Sequence, residues 1–230
     1  MNFATWEPIY EAILADFGFD RTSDERARDH LADLTRPFDL DRLDVTGETV
    51  VIAGAGPSLG TDLDGLDTAD SSVFAASTAV DRLQETGIAV DCMVTDLDKN
   101  PETVRRLTDS GTPVAVHAHG DNGPLVEEVV PTLEIEHVLA TTQAAPADPV
   151  MNLGGFTDGD RAAFLADHCG ASSLEFVGWD FEDDSVGAMK RRKLVWAERL
   201  LYWLERRRDE RFSVLDGRRD GIDTSALPVD

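Results

Sequence analysis

The sequence has few residues that could cross-link or anchor a fold. Cysteine occurs at two positions in 230 residues, Cys92 and Cys169, which argues against a disulfide framework or a cysteine-based zinc site. No run of about 18 apolar residues is present, so no transmembrane helix is expected. The first residues show no basic region followed by an apolar core, so they do not resemble a secretory signal. These absences predict a cytoplasmic protein.

Positive charge is also scarce. The chain has 45 Asp and Glu residues against 21 Lys and Arg, which gives a formal net charge of −24. Lysine is restricted to positions 99, 190 and 193. Binding of nucleic acid needs a basic patch, so nucleic acid is not expected as a partner. Dense surface carboxylates keep a protein soluble in molar salt, and the composition therefore predicts a halophilic protein.

The composition otherwise fits a globular protein. The hydrophobic fraction is 42%, and 230 residues are enough for one substantial core. Residues 1–46 are predicted to form an N-terminal helical appendage, whose aromatic and aliphatic stripe is interpreted as core packing rather than as a ligand site. Residues 47–215 are predicted to form an α/β catalytic domain, and residues 216–230 a loose polar C-terminal tail.

From residue 49 onwards, short β-rich apolar runs alternate with helical stretches. This alternation predicts an α/β fold with a mainly parallel, Rossmann-like sheet and helices on both faces. Ligands of such sheets bind beyond the carboxyl ends of the strands, so the residues that follow each run are the candidate site residues. The predicted strands are 49–53, 73–76, 90–94, 113–116, 137–140 and 174–177. The predicted helices of this part are 79–86, 101–109, 123–130, 159–168 and 187–208.

Two carboxylates, Asp96 and Asp98, follow the third run directly. Because strand side chains alternate, we expect both to point to the same side of the strand end. Mg²⁺ prefers oxygen ligands and commonly shares its coordination with phosphate oxygens and water. The pair therefore predicts a magnesium site, and the alternative is that both acids are solvated loop residues of an acid-rich chain.

The first run is followed by a glycine-rich turn that includes Gly54, Gly56, Pro57 and Ser58. Glycine allows a tight turn and close approach of the backbone to a phosphate. No Gly-Lys-Ser/Thr follows, and the second run ends in residues 76–78 without the acid that would hold an NAD ribose. We predict a loop that binds the phosphate or ribose of a nucleotide, with an ordinary strand-to-helix turn as the alternative.

The fourth run ends in a polar cluster of His117, His119, Asp121 and Asn122. Two histidines separated by one residue suit zinc, but no cysteine or third histidine is close in the sequence. A hydrogen-bonding or phosphate-contacting role is therefore favoured.

Two more strand ends carry candidate residues. Asp158 and Arg161 lie at the start of a predicted helix, where they would contact phosphate or metal, unless the acids there serve only as the N-cap. Trp179 and Asp180 follow the sixth run and offer an aromatic plane beside a carboxylate, as a flat heterocycle with amino groups requires.

Lys190 and Lys193 start the last predicted helix and share one of its faces. In a chain that otherwise avoids lysine, the pair indicates a specific need for positive charge. The alternative is a solvated basic turn, because Arg191 and Arg192 lie between them.

As a set, these motifs resemble the archaeal 6-hydroxymethyl-7,8-dihydropterin pyrophosphokinase family, a DUF115-type group that is similar to thiamine pyrophosphokinases. The resemblance implies transfer of diphosphate from ATP to the hydroxymethyl group of a reduced pterin, release of AMP, and a place in folate or methanopterin synthesis. The matching segments are residues 54–59, 94–98, 117–122, 155–161, 178–181 and 190–194.

The resemblance also implies roles for the acids. Asp96 and Asp98 would hold Mg²⁺, with Asp121 or Asp158 as a further ligand. Asp121 and His119 are the candidate general bases.

The remaining roles concern the two substrates, ATP and the pterin. Lys190, Lys193 and Arg161 would balance the phosphate charge during in-line attack on the β-phosphorus. Trp179 and Asp180 would receive the pterin by stacking and by accepting hydrogen bonds from its N–H groups.

Two other classes stay open. DUF115-type domains also occur in flagellin glycosylation, so a sugar-nucleotide-dependent transferase is one alternative, although such chains are usually longer. A non-enzymatic nucleotide-binding regulator is the other. Release of AMP that depends on a pterin would separate all three classes, and assembly as a homo-oligomer is open in each.

Overall fold

The computed structural model describes residues 1–228, and its elements match the predicted strand–helix alternation closely. The strands are β1 Thr49–Ala53, β2 Ser71–Ala76, β3 Cys92–Thr95, β4 Val114–Ala118, β5 Val138–Thr142 and β6 Ser173–Val177. The helices are α1 Phe3–Phe17, α2 Arg21–Leu34, α3 Leu59–Asp62, α4 Ala79–Glu85, α5 Pro101–Asp109, α6 Gly123–Val129, α7 Asp158–His168 and α8 Ala188–Arg208.

The described strands form one fully parallel sheet in the order β5-β4-β3-β2-β1-β6. The chain therefore winds in one direction from β1 to β5 and then returns to the far side of β1. Because parallel crossovers are right-handed, this reversal moves the connecting helix to the opposite face of the sheet. The predicted α/β class is confirmed.

Both faces of the sheet are buried, as a parallel sheet requires. Val50 and Ile52 of β1 belong to a core with α1, α7 and α8. Val51 and Ala53, which alternate with them, belong to a second core with helices α2 to α6. Helices on both faces are therefore confirmed.

The N-terminal helices pack against the sheet on opposite faces. Trp6, Ile9, Tyr10 and Ile13 of α1 have no exposed surface and lie in the first core, so the predicted core packing of this stripe is confirmed. Burial of each such side chain contributes about 1.5–3 kcal/mol. Since α2 contributes to the second core, the connection through residues 18–20 crosses an edge of the sheet.

The C-terminal segment is less loose than predicted. Across residues 216–228 the chain is held by contacts to α8, where Arg219 Nη2 donates to Glu205 Oε2 at 2.6 Å. Leu227 is buried in the first core. The expected looseness is therefore wrong for these residues, because ion pairs and an apolar contact hold a polar sequence in place. Residues 229–230 of the predicted tail lie outside the described residues.

The two cysteines are separate. Cys92 is buried in β3 and Cys169 follows α7, and neither forms a disulfide in the described part of the chain. Within residues 1–228, no helix combines the length and apolarity needed to cross a lipid bilayer.

Candidate active site

A cavity of about 350 Å³ opens at the carboxyl edge of the sheet. Its walls are the connection between α1 and α2, the segments that follow β3, β4 and β5, the first turn of α7 and the start of α8. Half of the predicted candidates contribute to this lining. They are Asp96, Asp98, His119, Asp121, Asp158, Arg161, Lys190 and Lys193.

Asp96 and Asp98 meet through a turn rather than through strand alternation. The residue between them, Leu97, has a φ of 68° and is buried, so the chain has already left the extended conformation. The backbone N–H of Asp98 donates to Asp96 Oδ1 at 3.3 Å. The predicted proximity of the two acids is observed, but the alternation argument for it is wrong because β3 ends at Thr95.

The pKa values of the Asp96 and Asp98 carboxyl groups are shifted in opposite directions. Burial alone would raise the pKa of Asp96, but hydrogen bonds with His119 and Asp98 hold it well below its ordinary value. Burial and the adjacent Asp96 raise the pKa of Asp98 instead. His119 Nε2 lies 3.5 Å from Asp96 Oδ2. Such a like-charge pair is stabilised by a shared proton or by a bound cation.

The start of α7 brings Asp158 and Arg161 into the cavity wall. The N-cap of α7 is Thr157, and Asp160, at the third helical position, accepts from the backbone N–H of Thr157 in a reciprocal capping box. The alternative that one of these acids is itself the N-cap is therefore wrong. A Cβ atom on Gly155 would lie 2.6 Å from the Cα of Arg161, so only glycine allows this close packing.

Asp158 is an acid with an unusual pKa. Burial and the negative charge of Asp96 raise its pKa to about 7, although Arg161 opposes the shift. The Arg161 Nη1 atom donates to Asp158 Oδ1 at 3.1 Å. A carboxyl group that titrates near neutral pH in a cleft is typical of functional sites.

The lysine pair lies at the cavity, on α8. Lys190 is exposed, whereas Lys193 is partly buried with its Nζ 5.7 Å from the ring centroid of Phe156. Burial and the charge of Arg161 lower the pKa of Lys193. The location of both lysines at the cavity favours the predicted need for positive charge over the alternative of a solvated basic turn.

His117 and Asn122 lie beneath the cavity rather than in its wall. Both are 2% exposed. His117 Nδ1 is 3.1 Å from Thr141 Oγ1, and burial lowers the pKa of His117 well below its ordinary value. A neutral, buried imidazole does not fit the predicted phosphate contact.

Asn122 has a structural task at the same strand end. Its Nδ2 donates to the backbone oxygens of Asp96 and His117 at 2.8 and 2.7 Å, and its Oδ1 accepts from the N–H of His119 at 2.9 Å. Asn122 therefore ties the segment after β3 to the segment after β4 and orients two cavity residues without facing the cavity itself.

The glycine-rich turn after β1 is occupied by the segment after β6. A Cβ atom on Gly54 would lie 2.5 Å from the oxygen of Gly178, and one on Gly56 would lie 2.3 Å from Asp180 Oδ2. The Asp180 carboxylate also accepts from the N–H of Ser58 at 2.9 Å. Close packing against the segment after β6 therefore explains why glycine stands at both positions, which favours the alternative of an ordinary strand-to-helix turn. A role of these glycines in nucleotide binding stays a prediction.

Trp179 and Pro57 are likewise outside the cavity wall. Trp179 Nε1 donates to the oxygen of Ile52 at 3.0 Å, and its ring packs against Gly159, where a Cβ atom would be 2.8 Å away. Pro57 is exposed on the adjacent turn. The pair proposed for the pterin, Trp179 and Asp180, is therefore already engaged by protein groups, and the pterin role stays a prediction.

Sequence reasoning missed two buried polar residues of the cavity wall, Asp24 and Gln143. Gln143 directly follows β5, so the rule that ligands lie beyond strand ends was the signal that would have found it. Asp24 lies within the charged helix α2, and nothing local distinguishes it from the other acids there. Lys99, Phe19 and Phe156 also line the cavity.

The acids fit magnesium better than a metal held by protein alone. In the described chain, no three His, Cys, Asp or Glu side chains converge closely enough to hold a metal ion by themselves. Mg²⁺ is commonly held by one or two carboxylates together with substrate phosphates and water. The adjacent Asp96 and Asp98 fit that arrangement, and the donor set does not fit structural zinc.

Fold and cavity define the class of protein: a parallel α/β protein with acidic and basic side chains around one cleft at the strand ends. Residues 25–185 match the family described as 6-hydroxymethylpterin diphosphokinase MptE-like. The chain belongs to this family, and the resemblance stated from the motifs is confirmed.

Individual relatives agree. The chain is 37% identical to 6-hydroxymethyl-7,8-dihydropterin pyrophosphokinase of Methanothermobacter thermautotrophicus, over 92% of this chain and 98% of that protein. The protein of the same name from Pyrococcus furiosus is 36% identical, over 89% and 95%. That of Methanocaldococcus jannaschii is 32% identical, over 89% and 96%.

A solved structure, the MAf glycosyltransferase from Magnetospirillum magneticum AMB-1, matches with a TM-score of 0.44 and 17% identity. The match covers 73% of this chain and 29% of that one. A likeness at this level indicates nothing about the function of this chain.

Proposed function

We propose that this chain transfers diphosphate from ATP to the hydroxymethyl group of 6-hydroxymethyl-7,8-dihydropterin and releases AMP. The family and the names of its relatives support the pterin pyrophosphokinase activity. The observation that supports the proposal is the cavity itself, whose lining combines the Asp96–Asp98 pair with four lysine and arginine side chains. Phosphoryl-type transfer needs this combination, because catalysis there consists mainly of positioning and charge neutralisation.

In this proposal the acids bind the metal. Asp96 and Asp98 would hold Mg²⁺ together with phosphate oxygens and water. Because no three such side chains converge on one point in the described chain, Asp121 or Asp158 would contribute through a bound water rather than as a third direct ligand. The ion, when bound with ATP, neutralises phosphate oxygens and orients the diphosphate. The low pKa of Asp96 keeps that carboxylate ionised and ready to bind a cation.

The positively charged side chains of the cavity would bind the anionic diphosphate. Arg161, Lys190 and Lys193 would lie against its oxygens, where positive charge stabilises the charge that develops in the transition state. The pterin oxygen forms a bond to the β-phosphorus, and the bond from that phosphorus to the oxygen bridging to the α-phosphate breaks. AMP leaves with that oxygen.

The hydroxyl proton of the pterin needs an acceptor. His119 and Asp121 line the cavity and are candidates. Asp158 is a third candidate, because its pKa of about 7 makes it a stronger base than an ordinary carboxylate. The pterin diphosphate would then serve folate or methanopterin synthesis in the cytoplasm.

The test is an assay of AMP release by the purified protein with ATP, Mg²⁺ and the reduced pterin, run at molar KCl. AMP should appear only when the pterin is present, in equal amount to the pterin diphosphate. Transfer from a sugar nucleotide with no AMP from ATP would favour the glycosyltransferase alternative. ATP binding without any turnover would favour the regulator.

A further inference from the structure

A buried chain of hydrogen bonds leads from α2 through the end of β5 to Arg161. Asp24 and Gln143 are each 3% exposed, and Arg161 is 7% exposed. Gln143 Nε2 donates to Asp24 Oδ2 at 2.7 Å, and Arg161 Nη2 donates to Gln143 Oε1 at 3.3 Å. The three side chains thus form one connected unit in the cavity wall.

The amide of Gln143 has one orientation in this unit. An ionised Asp24 only accepts hydrogen bonds and Arg161 only donates them, so the amide nitrogen must face the carboxylate and the amide oxygen must face the guanidinium. The backbone of Gln143 is fixed as well, because its carbonyl accepts from Trp6 Nε1 at 2.9 Å and from Asn152 Nδ2 at 2.8 Å.

Asp24 is already satisfied by protein donors. Beside Gln143, it accepts from the Tyr10 hydroxyl at 2.8 Å and from the N–H of Gly120 at 2.7 Å. The hydrogen-bonding capacity of this buried carboxyl group is therefore met by the protein itself, without a ligand. Its position therefore serves the orientation of its neighbours.

Arg161 is held on two sides and still has donors to offer. One Nη atom donates to Gln143 and the other to Asp158, which fixes the plane of the guanidinium. The group has five N–H donors, so others remain for oxygens that enter the cavity. A pre-fixed guanidinium loses little freedom when it binds an oxyanion.

We infer that Gln143, oriented by Asp24, is a positioning residue that aims the Arg161 guanidinium at the diphosphate of the nucleotide. This inference rests on the proposed function for the identity of the ligand. The inference gives the N-terminal helices a role in the site, because Asp24, which orients Gln143 and through it Arg161, lies on α2.

The experiment measures binding by calorimetry, with inorganic pyrophosphate and ATP as probes in the presence of Mg²⁺. Gln143→Leu should weaken both affinities about 10-fold or more, because the lost bond involves a charged group. Thr108→Val is the matched control: Thr108 is fully buried, its hydroxyl bonds to the oxygen of Arg105, and it lies outside the cavity wall. The control should lose stability but keep both affinities within about 2-fold.

A swapped pair gives the second measurement. Asp24→Asn combined with Gln143→Glu keeps one amide and one carboxylate, preserves the net charge and leaves Arg161 an acceptor. Its affinities should return to within about 3-fold of the original protein. If Gln143→Leu does not fold, Gln143→Asn, which shortens the side chain, carries the same expectation.

Unchanged affinity in Gln143→Leu, or an equal loss in Thr108→Val, overturns the inference. A folded swapped pair that binds no better than Gln143→Leu also overturns it. Failure of the proposed function is distinguishable: the original protein would then bind pyrophosphate without forming AMP, and the positioning role would stand. If the original protein binds neither probe, the positioning role falls too.

Discussion

Leu97 shows how the acid pair is built. Its φ of 68° is rare for a residue with a branched side chain and costs on the order of 1–3 kcal/mol. Burial of the Leu97 side chain and a hydrogen bond from its N–H to Thr95 Oγ1 at 3.0 Å hold the turn. Strained backbone of this kind persists where the surroundings over-determine it, and here it brings Asp96 and Asp98 together.

The first prediction concerns these two acids. Asp96→Asn and Asp98→Asn should each lower turnover on the order of 10²-fold or more, because each removes a negative charge that would bind the metal. Activity should vanish with a chelator and return with added Mg²⁺. Steady-state kinetics across a magnesium titration measure both effects.

Asp109→Asn is the control for the lost charge. Asp109 is exposed at the end of α5 and does not line the cavity, so its change should leave turnover intact. Near-normal turnover in both Asp96→Asn and Asp98→Asn, with the fold verified by circular dichroism, would remove the metal assignment.

Among the elements, the helix α8 has a polar start and a buried remainder. Lys190 and Lys193 lie at the cavity, whereas Trp196, Leu200 and Trp203 are buried in the first core. The apolar part fixes the helix on the sheet, so the lysines are held at the cavity by packing that lies further along the same helix.

The second prediction concerns the charge that α8 presents. Lys190→Ala and Lys193→Ala should lower turnover more than they weaken ATP binding, because their charge acts mainly in the transition state. Arginine replacements should rescue only in part, since a planar fork does not replace a compact ammonium group. Turnover and ATP affinity of each variant, measured side by side, check this.

Arg191→Ala is the matched control on the same turn. Arg191 is exposed, lies between the two lysines and does not line the cavity. Its change should alter stability by less than about 0.5 kcal/mol and leave the kinetics intact. If the lysine variants behave like this control, both lysines belong to a solvated basic turn.

At the scale of the whole molecule, the order of the strands determines where the charged cavity residues come together. Strands β3, β4 and β5 are neighbours, so the segments that follow them share one side of the carboxyl edge. At the border of β1 and β6, where the winding reverses, a ligand crevice is usually expected. Here the glycine-rich turn and the segment after β6 close against each other, and the cavity lies over β3 to β5 instead.

The third prediction concerns salt. A net charge of −24 repels over a Debye length of about 30 Å at 0.01 M ionic strength, so the folded state should be weak in dilute buffer. The thermal midpoint should rise steeply from dilute buffer to molar KCl. Differential scanning calorimetry in a KCl series measures it.

Sucrose at matched osmolality controls for the general effect of excluded solutes. It should raise the midpoint far less than KCl does, because it does not screen charge. A flat KCl profile, or an equal rise in sucrose, would contradict the halophilic prediction.

The sequence by itself determined the elements and the side chains available at their ends. Apolar periodicity located all six strands, because local burial patterns repeat with the geometry of a strand or helix. It also pointed to Asp96, Asp98, Asp158 and Arg161, since polar residues at strand ends in an α/β chain collect at one edge.

Only the tertiary structure decided which strand ends share the cavity. Strand order is set by long-range packing. No local feature of the sequence therefore distinguished the turn at Gly54, which packs against the segment after β6, from the turn at Asp96, which lines the cavity. Nothing local marked Asp24 either, because its partners Tyr10, Gly120 and Gln143 come together only when α2 and the sheet pack. The physical reason is the same in each case: short hydrogen bonds between distant segments depend on the assembled core, which no single stretch of sequence encodes.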